Sequence, residues 1–238
     1  MTLSYLCLRA VMAAGRMVAQ MALLGVCLWG VFQVDTVWLN LLWLLLLSTV
    51  SALVVVRRAH LRMRLMWPVT TAGLFLGVTG VAACLLLSVF RPEQALSARW
   101  MIPVTGVLMA HAMPVAIRSL STFFESLRVQ SQPYLVQVGN GVSHWRALLP
   151  YCRQTLLAVV GPLIANLSVM GLFALPMLFS GMLLGGISPL QAALAVVALT
   201  LGSIVASVLV VALTLLLADR WVFDRRGNYQ DVTLNDKK

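Results

Sequence analysis

Apolar residues along this chain come in six long, nearly unbroken runs separated by polar segments. The runs lie at about 10–32, 36–56, 66–90, 100–117, 155–179 and 189–218. Each is near or above the roughly 18 residues a helix needs to cross a hydrocarbon core. A helix satisfies its own backbone hydrogen bonds, which lets an open-ended segment cross lipid. The pattern therefore predicts an all-α integral membrane protein with about six transmembrane helices. The first run is long enough to span and no short apolar core with a small-residue cleavage site stands before it, so no cleavable signal peptide is expected.

Composition strengthens this reading. The 238 residues are 61% hydrophobic and only 10% charged, against about 25% charged in a soluble domain. A net charge of +10 would raise nucleic acid in a soluble protein. Here the positive residues sit in alternate connections. Arg57, Arg58, His60, Arg62 and Arg64 follow the second run, and Arg118, Arg128, Arg146 and Arg153 lie between the fourth and fifth. Arg220, Arg225, Arg226, Lys237 and Lys238 follow the sixth. The other connections are poor in Lys and Arg. The positive-inside rule then puts both termini in the cytoplasm. Membrane lipid, not nucleic acid, is the expected surroundings. The chain divides into a membrane domain over 1–220 and a polar cytoplasmic tail over 221–238.

One connection is unlike the rest. Residues 119–154 are moderately polar and far longer than the usual 2–8 residues between packed helices. The expectation is a helix leaving the membrane, a break at Gly139-Asn140-Gly141, a short amphipathic helix around Ser143 to Leu149, and re-entry at Pro150.

Little enzyme chemistry is available. No G-x-x-x-x-G-K-[ST] phosphate loop and no H-E-x-x-H helix occurs. His60 and His144 fall outside the runs, and His111 has no carboxylate at its depth. The chain is expected to be no enzyme and to bind no cofactor. Cys7, Cys27, Cys84 and Cys152 are widely spaced and read as small buried apolar side chains rather than disulfides.

Polar residues inside the bilayer are costly and are functional candidates by default. Arg16 and Gln20 share one face of the first helix; they line a pathway or brace a neighbour, or Arg16 snorkels to the headgroups. Met109, His111 and Met113 offer an imidazole and soft thioethers, which suit a late transition metal, although methionine is also common packing material. Pro103 and Pro114 bracket that segment and permit a kink. Asn166 is a lone amide suited to an interhelical hydrogen bond or to substrate. Residues 180–186 offer small side chains for close packing or a hinge, Ser180 and Gly181 among them.

Three motifs in register carry a resemblance. The first helix reads Gly15-Arg16-Met17-Val18-Ala19-Gln20, then Leu24-Gly25. The fourth reads Ile102-Pro103-Val104-Thr105-Gly106, ending Ala112-Met113. The fifth ends Gly171-Leu172-Phe173-Ala174-Leu175-Pro176, followed by Ser180-Gly181 and Gly186-Ile187-Ser188-Pro189. Over about 10–225 this resembles the FetB family of ABC-transporter permeases, which plant aluminium-sensitivity proteins also represent. The family's G-R-x-x-x-Q-x-x-x-x-G, I-P-x-x-G-M-x-x-G-N-A-M, G-L-V-S-L-P-G-M-M-S-G and G-I-D-P correspond.

The resemblance implies a permease subunit in the bacterial inner membrane that exports iron or another metal ion by alternating access. It implies a homodimer driven by two copies of a separate ATPase that holds ATP and Mg. Gly139, Gly141, Ser143, Trp145, Leu149 and Pro150 would form the segment that couples to it. Pro103, Gly106, Pro176, Ser180 and Gly181 would join Arg16, Gln20, His111, Met113 and Asn166 along the pathway or in helix packing. His111 replaces the family's asparagine, Met177, Leu178 and Phe179 replace Gly-Met-Met, and Ser188 replaces an aspartate. The family's additional N-terminal helix has no counterpart here. A stand-alone transporter or channel and a non-transporting scaffold or assembly factor remain open alternatives.

Overall fold

The computed structural model describes residues 2–89, 96–129, 131–173 and 176–222. The helices are α1 (Thr2–Val34), α2 (Val37–Arg58), α3 (Met63–Val89), α4 (Ala98–Val129), α5 (Ser131–Gly139), α6 (His144–Phe173), α7 (Pro176–Leu184) and α8 (Pro189–Val222). Six of them, α1–α4, α6 and α8, are long and apolar enough to cross a membrane. The all-α, six-span expectation is met.

Glycine sets the centre of the bundle. On Gly77 of α3, an added methyl would lie 2.7 Å from Val210 Cγ2 and 3.1 Å from the Val210 nitrogen. Gly73 is pressed as closely against Thr214, and Gly202 of α8 sits under Leu85 and Leu108. Positions rise along α3 as they fall along α8, so the two helices run antiparallel with their backbones nearly touching. Lipid tails are as apolar as leucine, so this close packing, rather than water expulsion, joins such helices. Helix α4 packs on α8 and α3, α2 closes over α3 and α4, and α6 lies on α4. Helix α1 is peripheral and meets the bundle near its end, where Leu28 and Val31 touch Ala98 and Ile102 of α4.

The helix ends are specified locally. Gly141 has φ +83°. Its N–H donates to Val138 O and that of Val142 to Gln137 O, the paired bonds of a Schellman cap. Gly186 ends α7 the same way. His60, with φ 54°, ends α2 in the same arrangement, and the next residue, Leu61, is buried. At the opposite end of the bundle, Asp35 Oδ1 accepts from the Ala98 backbone N–H at 2.6 Å and from Asn40 Nδ2 at 3.2 Å. Asn40 Nδ2 also donates to Leu96 O. A carboxylate from the α1–α2 link thus caps the start of α4.

The 119–154 connection differs from its expected form. Helix α4 continues to Val129, so residues 119–129 extend a membrane helix. The break at Gly139-Asn140-Gly141 is present as the cap of α5. The separate short helix over 143–149 is not: those residues are the first turns of α6, which passes through Pro150 without interruption. Proline within a transmembrane helix is tolerated because neighbouring groups re-satisfy the freed carbonyl.

The cysteines also differ from expectation. Cys27 and Cys84 face outward and Cys152 is half-buried, all three as free thiols. Side chains such as Leu23, Val26, Trp29, Leu157 and Leu190 share the exposed surface, as suits a chain solvated by lipid.

Candidate functional site

Helices α4, α6 and α8 enclose a cleft of about 220 Å³ midway along their lengths. Ala110, His111, Pro114, Val115 and Arg118 line it from α4, at the one-face spacing of a helix. Val159, Pro162, Leu163, Asn166 and Leu167 face it from α6, and Thr200, Ser203, Ile204 and Ser207 from α8. The structure thus brings together His111 and Asn166, far apart in sequence.

Proton positions give the cleft its character. His111 Nδ1 lies 2.9 Å from Val107 O. A carbonyl only accepts, so Nδ1 carries the hydrogen and Nε2 is the ring nitrogen left without a bond to the helix. Thr200, Ser203 and Ser207 donate to the Val196, Leu199 and Ser203 carbonyls at 2.8, 2.7 and 2.6 Å. Their protons are committed to α8; Thr200 is half-buried, while Ser203 and Ser207 are buried behind the cleft surface. Asn166 adds an amide, and Arg118 is the one permanently charged side chain in the lining.

The other candidates fall elsewhere. Met109 is buried and Met113 packs against the same core, so the two thioethers face the bundle while His111 lines the cleft. Among the described residues, no group of three or more His, Cys, Asp or Glu side chains gathers to hold a metal ion. Pro103 is exposed and Gly106 half-buried, both outside the cleft lining. Arg16 and Gln20 are exposed on the part of α1 that stands away from the bundle. Ser180 and Gly181 are exposed on α7, and Ser188 is exposed before α8. The side chains of Pro176 and Met177 lie outside the described residues, while Leu178 and Phe179 are half-buried.

At the basic end, Gly139, Gly141, Ser143, Trp145, Leu149 and Pro150 all lie exposed. Trp145 is 55% and Leu149 67% accessible, and they stand one turn apart on α6. Val136 and Val142 extend this apolar outer face. The inner face is a packed core in which Phe123, Phe124, Leu127, Tyr134, Ala147, Leu148 and Tyr151 are buried together.

Sequence reasoning missed Arg118, Pro162, Thr200, Ser203 and Ser207. Hydroxyls at 200, 203 and 207 repeat on one face of an otherwise apolar helix, and that period was the available signal. It missed Tyr134 and Asp219 as well. Tyr134 Oη lies 2.8 Å from His144 Nδ1, and His144 Nε2 lies 2.6 Å from Asp219 Oδ1. The Tyr134 phenol is raised above its ordinary 10.0, first by burial and then by the charges of Asp219 and Tyr151.

Six membrane-crossing helices, three of which line a mid-bundle cleft, define a multi-pass helical membrane protein. The chain belongs to the family described as "Uncharacterised protein family (UPF0014)", whose profile matches residues 6–223. It is 26% identical over 180 residues to the UPF0014 membrane protein slr1647 of Synechocystis sp., covering 76% of this chain and 70% of that one. It is 25% identical over 181 residues to Protein ALUMINUM SENSITIVE 3 of Arabidopsis thaliana, covering 76% and 64%. To the UPF0014 membrane protein STAR2 of Oryza sativa subsp. japonica it is 28% identical over 115 residues, covering 48% and 40%. The matched stretch therefore spans less than two thirds of the Arabidopsis and rice proteins. No solved structure matches the chain significantly.

Proposed function

We propose that this chain is the permease subunit of an ABC-type transporter in the bacterial inner membrane. Two copies form the pathway, and two copies of a separate ATPase, which binds ATP and Mg, drive alternating access. The cleft between α4, α6 and α8 is the observation that carries the reading. An amide and an imidazole that face one cleft at mid-bundle are costly in lipid and are functional candidates by default. The exposed Trp145–Leu149 face at the basic end supplies a seat for a driving partner, because an apolar helix face seats in a partner's groove.

The cargo assignment is iron or another metal ion, moved outward. It rests on the FetB resemblance and agrees with the bare His111 Nε2. The name of the Arabidopsis relative refers to aluminium, which is also a metal.

Filling the cleft tests the reading. Cells loaded with radioactive Fe²⁺ and producing the Ser203→Leu variant should retain the label, whereas wild-type cells release it. Equal release by wild type, variant and cells lacking the chain would refute the iron assignment. Fast release by Ser203→Leu alone would remove the cleft as the route.

A further inference from the structure

The proposed docking face and the cleft lie at different depths, so something must carry motion between them. Helix α6 alone reaches both, because His144 opens it and Val159 enters the cleft about 22 Å further on. Helix α8 provides all three hydroxyl residues of the cleft lining but contributes nothing to the Gly139–Pro150 docking face. Its end carries Asp219, twelve residues or about 18 Å beyond Ser207.

Three side chains close that gap. Asp219 at 2.6 Å can only accept as a carboxylate, so His144 Nε2 carries the hydrogen. In the neutral ring Nδ1 is then an acceptor, and Tyr134 O–H donates to it at 2.8 Å. Donors point one way, from α5 through α6 to α8, and such chains reinforce each other in a low-dielectric setting. Tyr134 is 1% exposed, with Tyr151 and Leu148 beside it in the same buried cluster. Directional, charge-assisted bonds hold geometry more tightly than apolar contact does.

We propose that Tyr134, His144 and Asp219 are positioning residues that form a strut, coupling displacement of the docking segment to α8 and hence to the hydroxyl wall of the cleft. Outward faces of the α5–α6 segment meet the partner, and its inner face pulls α8 through this strut. The inference rests on the ATPase-driven reading above. It goes beyond that reading by naming which membrane helix is driven and through which atoms.

The test uses the complex purified through this chain in mild detergent. Cys7, Cys27, Cys84 and Cys152 are replaced, and Ala110→Cys in the cleft wall reports access to a water-soluble maleimide. With an intact strut, labelling should change between nucleotide-free and ATP–vanadate states. Tyr134→Phe and Asp219→Leu should keep ATP hydrolysis yet lose that change. His144→Gln, which can donate and accept at similar positions, should restore it where His144→Leu does not. A purely structural role would not separate hydrolysis from cleft response. If the breaking variants retain the ATP-dependent change, the strut is refuted. Should those variants fail to fold, an Arg146→Cys/Arg220→Cys spin-label pair in the unbroken strut decides. A constant α6–α8 distance between the two states supports coupling, and a changing one overturns it. Absence of any ATPase from the wild-type preparation would instead sink the transporter reading and the strut with it.

Discussion

At the scale of single residues, proton placement separates the candidates. His111 was conspicuous in the sequence because it is an ionisable group amid apolar neighbours. Its role depends on a bond the sequence does not show, the donation from Nδ1 to Val107 O that leaves Nε2 bare. Met109 and Met113 were equally visible, but they turn into the core. On the proposed reading, His111→Ala should slow Fe²⁺ efflux about 10-fold, the loss of one polar contact. His111→Asn, the residue of the resembling family, should recover most of it. Transport unchanged in His111→Ala would remove the imidazole from the pathway. Tyr134 gives a pH prediction. Its phenol is raised from 10.0 by burial, then by Asp219 and Tyr151. The folded state thus holds its proton more tightly than the unfolded state, and this contribution is complete below about pH 10 and falls away above it. Thermal unfolding of wild type should therefore lose more stability between neutral and strongly alkaline pH than that of Tyr134→Phe. Parallel losses would show that Tyr134 does not contribute.

At the scale of elements, helices were legible and contacts were not. The hydrophobic runs located every spanning helix, because lipid enforces length and apolarity directly. The ends at the basic side were harder. Helix α4 runs twelve residues past the expected 117, because Leu120, Phe123, Phe124 and Leu127 of that stretch are buried in the bundle core. The break at Gly139-Asn140-Gly141 was visible because only a left-handed residue completes that cap. The unbroken passage through Pro150 was not visible, since a proline in sequence reads as punctuation. The small residues at 180–186 read as a subunit interface or a hinge, and within one chain a Cβ on Gly181 would touch nothing within 4 Å. The close approaches fall at Gly73, Gly77 and Gly202, where no local pattern distinguishes a contact glycine from a lipid-facing one such as Gly80. Gly77→Val should destabilise the bundle by about 1–3 kcal/mol through overpacking, read as earlier thermal unfolding in detergent. Gly80→Val should be nearly silent. Asp35→Ala removes the cap of α4 and should cost about 1 kcal/mol by the same measurement.

At the scale of the whole molecule, the chain has two specialised zones joined by rigid helices. Mid-bundle, α4, α6 and α8 turn polar groups toward one another. At the basic end, an aromatic core supports an outward apolar face of Val136, Val142, Trp145 and Leu149. The composition announced a membrane protein at once. Pairing of distant residues, such as His144 with Asp219 across 75 positions, could not be read from one sequence, because nothing local to either residue records its partner. The family match over residues 6–223 places the whole bundle in one family.

The central claim is that a separate ATPase drives this bundle from its basic end. It is tested most directly by assaying vanadate-sensitive ATP hydrolysis in material purified through this chain, for wild type and for Trp145→Glu/Leu149→Glu. Both side chains are exposed, so the double variant should fold and melt like wild type. The account predicts hydrolysis in the wild-type preparation and its loss in the variant. Hydrolysis absent from the wild type, or equal in the two preparations, would contradict it.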